Sequence, residues 1–168
     1  MKVYFENYSY YPALRTRSAE MTGLNNLSYE NKKKILPLIS LGKWPRSEEI
    51  QVSLDKSLEV MSNLPFILDV TKDNSHHCAS SFELLSPENG FKNWIEFCSR
   101  NDNIIPVVQM PDSAKLRDIS IQASLVQLQI FAVKMDSPDI LMLLRENCIK
   151  ILVEVMSLFM AIMVQFIQ

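Results

Sequence analysis

Residues 10–20 read YYPALRTRSAE, an apolar run that meets Pro12 and then presents Arg15, Arg17 and Glu20 at and just beyond its end. Ser18 stands where a helix N-cap is expected, with Glu20 in the first turn of the helix it would open. The unit is a strand, a charged strand end and a helix. Residues 3–14 carry the strand signal, rich in Tyr, Phe and Val and limited by Pro12.

The same unit recurs. Residues 35–41 form a continuous apolar run bounded by Gly42, with Pro37 confining the ladder to the residues after it. Ser47, Glu48 and Glu49 open a helix whose apolar residues Ile50, Leu54, Leu58 and Met61 fall at helical spacing. Residues 64–70, LPFILDV, give a third strand that ends on Asp69, and 103–110, NIIPVVQM, a fourth that ends on Gln109. Between them lies a polar stretch, 71–87, expected to be a long loop, and a helix over 88–100 with Phe91, Trp94, Ile95 and Cys98 on one face. Asp112 and Ser113 cap a further helix along Leu116, Ile119, Ala123 and Val126. A fifth strand is expected over 129–135, near Lys134 and Asp136, and a sixth over 150–156. Lys32, Lys33 and Lys34 read as a solvated helix C-terminus.

Strands separated by helix-length crossovers require a parallel sheet. The expected fold is α/β, a set of parallel β/α units forming an incomplete TIM-barrel-like array, with an open doubly wound sheet as the alternative. In both, ligands sit beyond the C-terminal ends of the strands. The 168 residues are expected to make a single α/β domain, with 149–168 an apolar C-terminal segment. Lys150 and Glu154 interrupt that segment, so a buried strand and helix is favoured over membrane contact. Its blunt apolar ending reads as a chain that stops before closure.

Composition narrows function. Seventeen Lys and Arg against nineteen Asp and Glu give a net charge of −2, which predicts no general nucleic-acid binding. Three widely spaced cysteines, Cys78, Cys98 and Cys148, argue against a disulfide framework and suit a reducing, cytoplasmic setting. With glycine only at 23, 42 and 90, neither phosphate-loop motif can be written, and no cofactor is expected. His76, His77 and Cys78 lack a further ligand at metal spacing and read as polar loop, so no metal is expected.

Several stretches resemble the beta family proteins of bacteria and phages: residues 11–17 (YPALRTR) with 19–21, 34–39 (KILPLI), 66–70 (FILDV) and 105–108 (IPVV). The likeness covers roughly residues 8–136. It implies a TIM-barrel-like α/β unit within longer chains and brings no established reaction.

The strand ends gather the candidate residues. Arg15, Arg17, Lys43, Gln109, Lys134 and Asp136 are candidates for binding a phosphate or carboxylate group, Arg by bidentate contacts. Glu20 and Asp69 are the candidate acid and base. The structural reading of the same charges is mutual pairing that holds the layers together. Two function classes follow. One is a phage- or mobile-element-type accessory protein that binds a host or phage partner, or itself, in phage–host conflict. The other is an enzyme acting on a phosphorylated or carboxylated substrate at the strand ends.

Overall fold

A computed structural model of the chain describes residues 7–133. Four parallel strands form one sheet in the order β1-β2-β3-β4: β1 Ala13–Arg15, β2 Leu38–Leu41, β3 Phe66–Val70 and β4 Ile104–Pro106. Helices fill the crossovers. They are α1 Ser18–Asn25 and the single turn α2 Tyr29–Lys32, α3 Ile50–Met61, then α4 Ala79–Leu84 and α5 Lys92–Cys98. The helix α6 Leu116–Val133 follows β4.

The α/β class and the parallel sheet agree with the sequence. The strand order advances without reversal among the described residues, as consecutive barrel strands do, whereas a doubly wound sheet reverses at a switch point. The faces differ in the same sense. Ile39 and Leu41 of β2, Phe66, Leu68 and Val70 of β3 and Ile104 of β4 are buried beneath Met21, Leu24, Leu54, Met61, Trp94 and Phe97 of the helices. The opposite face carries Leu38, Ser40, Ile67, Asp69 and Ile105, all only half-buried. Register places Arg15, Ser40 and Asp69 in one row across that face. Arg15 and Asp69 are thus two strand spacings, roughly 10 Å, apart along the backbone.

Proline trims the strands. Pro12 and Pro37 both precede their strands, and Pro37 contributes only its carbonyl, which accepts from Ile67 N at 2.8 Å. The first strand is therefore shorter than its aromatic composition suggests; a bridge between Tyr10 and Ile35 is its only extension among the described residues. Leu38 N donates to Pro12 O at 2.9 Å and Thr16 N to Ser40 O at 3.1 Å. Even-numbered residues of β1 therefore pair with β2, and Ala13 and Arg15 turn their backbone groups to the sheet edge.

Four expectations are corrected. Ser18 is the first residue of α1, not its cap; Arg17 holds the N-cap position, without a side-chain hydrogen bond. The 71–87 stretch is structured: Asp73 caps a 3-10 turn at Asn74–His76, and α4 follows. Lys32 is not solvated. It is 5% exposed and its ammonium donates to Val60 O at 2.7 Å, tying α2 to the end of α3. The fifth strand is helix through Val133, because no Gly or Pro interrupts the chain between Leu116 and Val133 to stop α6. The sixth strand and the apolar C-terminal segment lie outside the described residues. No described helix is long and apolar enough to cross a membrane.

Gly23 sits inside α1, and a Cβ built there meets nothing within 4 Å. Gly23→Ala should accordingly stabilise the fold by about 0.5–1 kcal/mol through helix propensity. The check is urea denaturation, where the midpoint rises at unchanged slope.

Candidate functional site

Three successive strand-end loops are bonded together. Thr16, buried just past β1, accepts from Gly42 N at 2.8 Å and directs its hydroxyl hydrogen to Gly42 O at 3.2 Å. Ser53 of α3 also donates to Gly42 O, at 2.5 Å. The next backbone amide, Lys43 N, donates to His76 O at 2.7 Å. A Cβ at Gly42 would lie 3.3 Å from both His76 Cβ and Thr71 Cγ2, so glycine permits the close approach of the second and third loops.

These bonds enclose a cavity of about 140 Å³ lined by Arg15, Thr16, Arg17, Lys43, Thr71 and His76, with Ser18 at the start of α1 on its wall. No carboxylate lines it among the described residues. Two carboxylates attach from outside. Asp73 lies 3.7 Å from Arg15 Nη1, and Glu48 pairs with the Lys43 ammonium. Hydrogen bonds from the Ser75 hydroxyl and amide, with the Arg15 guanidinium nearby, hold the Asp73 carboxyl below the usual carboxylate range. Among the described residues no carboxylate pairs with Arg17, whose Nη2 lies 3.0 Å from His76 Nε2. The cavity therefore combines cationic side chains with an uncapped helix start, a combination suited to an anion.

The other candidate residues lie elsewhere. Asp69 Oδ1 accepts from Gln109 Nε2 and from Val70 N, both at 2.8 Å. Gln109 lines a separate cavity of about 350 Å³ beyond β3 and β4, together with Lys72, His77 and Asp112. Glu20 Oε2 accepts from Arg15 N at 2.7 Å, at the sheet edge. It borders a cavity of about 620 Å³, a largely apolar groove along β1 lined by Tyr10, Leu14, Leu24 and Leu27. Arg15, Arg17, Lys43 and His76 do not line that groove. Lys134 and Asp136 lie outside the described residues.

Sequence reasoning set His76 aside as loop, yet the 3-10 turn carries it to the cavity. The Asp73-x-Ser75 pattern is the local signal: Asp73 Oδ1 accepts from Ser75 N at 3.1 Å and Ser75 Oγ at 2.6 Å, which shapes the turn. Cys78 and Cys98 are free and buried. Among the described residues no group of three His, Cys, Asp or Glu is placed to hold a metal ion.

Fold and cavity together define a parallel β/α protein with a cationic site at the strand C-termini. The chain belongs to the Beta protein family, whose model matches residues 10–155. It is similar to Protein beta of Enterobacteria phage P4, with 97% identity over 127 residues, which make up 76% of this chain and 36% of that relative. The chain thus spans little more than a third of the relative's length. No solved structure matches it.

Proposed function

We infer that this chain is a phage-type accessory protein that works by binding, its strand-end cavity engaging a phosphate or carboxylate group on a host or phage partner. One observation carries this reading: Arg15, Arg17, Lys43 and His76, drawn from three consecutive strand ends, line one small cavity with no carboxylate among its described lining residues. Binding is favoured over catalysis because both candidate acid–base groups are engaged, Glu20 by a backbone amide and Asp69 by Gln109 and Val70 N. The phage relative supports the phage assignment.

Isothermal titration with inorganic phosphate tests the reading. The protein should bind it, more weakly as salt rises. Arg17→Ala should weaken binding by about 10- to 100-fold, the value of one charge-assisted hydrogen bond. Lys56→Ala, whose ammonium pairs with Glu59 on α3, should leave it unchanged. If neither phosphate nor carboxylate compounds bind, the site is not an anion site.

A further inference from the structure

Arg17 and His76 of the cavity are in hydrogen-bond contact with each other, and that contact fixes which ring nitrogen carries the hydrogen. A guanidinium has donors and no acceptor. The 3.0 Å contact from Arg17 Nη2 therefore requires a lone pair on His76 Nε2, which places the imidazole hydrogen on Nδ1 and leaves the ring neutral. Charged groups from three strand ends stand near the ring. Arg15 and Arg17 come from the first loop and Lys43, paired with Glu48, from the second. Asp73, from the turn itself, has its Oδ2 3.9 Å from His76 Nε2 and shares that oxygen with Arg15.

An anion in this space competes for the Arg17 hydrogens. Once Arg17 turns toward it, His76 Nε2 loses its donor and faces an oxygen that also lacks hydrogen. Two acceptors in contact repel, and a proton on Nε2 converts that repulsion into a charge-assisted hydrogen bond. The anion's charge offsets Arg15, Arg17 and Lys43, and Asp73 stands ready to pair with the imidazolium. Resting on the anion-binding reading above, we propose that the cavity takes a tetrahedral dianion, a phosphate or sulfate group, together with a proton captured by His76 from solvent. The cavity of about 140 Å³ suits such a group, and any base or sugar attached to it would lie outside.

The test is calorimetric titration with inorganic sulfate, which keeps its double charge across the range in which imidazoles titrate, about pH 5 to 8. Measurements in two buffers of different ionisation enthalpy count the protons taken up. The wild-type protein should bind sulfate more tightly as pH falls and take up a fraction of a proton that approaches one. His76→Gln should still bind sulfate, with the pH dependence and the proton uptake abolished. Sulfate binding without proton uptake in the wild type, or uptake that persists in His76→Gln, overturns the coupling and leaves the anion site standing. Failure of the wild type to bind sulfate or phosphate at any pH overturns both.

Discussion

Trp94→Ala should cost the fold about 3–5 kcal/mol, a large share of the roughly 5–15 kcal/mol that holds a domain of this class together. Trp94 is fully buried on α5, stacked 6.2 Å from the Phe97 ring, and its Nε1 donates to Val107 O at 2.9 Å. Val107 N donates in turn to Leu68 O at 2.9 Å, so the indole fastens the helix to the place where β4 leaves β3. The substitution removes a large apolar volume and strands the Val107 carbonyl. Trp94→Phe is the milder change, since it keeps a six-membered ring in the core while losing the pyrrole ring and its donor, at about 1–3 kcal/mol. Guanidinium unfolding followed by circular dichroism measures both. A loss below about 1 kcal/mol for Trp94→Ala would contradict a central place for this ring.

Gly90→Ala should be the other severe change, at about 2–4 kcal/mol. Gly90 has φ +70° in the turn before α5, where an L side chain is strained. An added Cβ would also lie 2.8 Å from Ile121 Cβ on α6 and collide with Ile121 Cγ2. The Ile121 Cβ is fixed by its helix, so rotation of the side chain relieves only part of the overlap. Thermal unfolding of Gly90→Ala beside Gly90→Ala/Ile121→Ala resolves the two causes. The double variant should recover part of the loss and retain the backbone strain. Equal stability of Gly90→Ala and wild type would remove the close packing of this turn on α6.

The sheet was legible in the sequence because parallel strands covered by helices are dense apolar runs, and Pro37 marked where the second ladder begins, whereas Pro12, read as limiting a strand over 3–14, precedes β1. Ile39 and Leu41, and Phe66, Leu68 and Val70, are the buried alternate residues of such runs. Short apolar segments are harder to assign. Residues 129–133 carry Ile and Val, yet they continue a helix that nothing upstream terminates. The turn at Asn74–His76 and α4 were hidden because a polar stretch led by Asp, Asn, Ser and His resembles loop, and α4 begins at Cys78, an unusual N-cap residue. Arg15, Arg17 and Lys43 could be read from their place after apolar runs. His76 could not, since five residues separate it from β3 and only the folding of its turn returns it to the strand ends. Likewise, Lys32 looked like one of three equivalent lysines until α2 brought it against the end of α3.

Glu20 has a consequence beyond the helix in which it sits. Arg15 is the last residue of β1, the edge strand among the described residues, and an outward N–H at such an edge is a template on which another strand can add. The Glu20 carboxylate occupies that position as a neighbouring carbonyl would, and Arg15 O is taken by Arg17 N at 2.7 Å. An arriving strand would meet a seated acceptor and a negative charge at that N–H. Glu20 thus acts as a gatekeeper at the end of β1, guarding a position where a further strand could add.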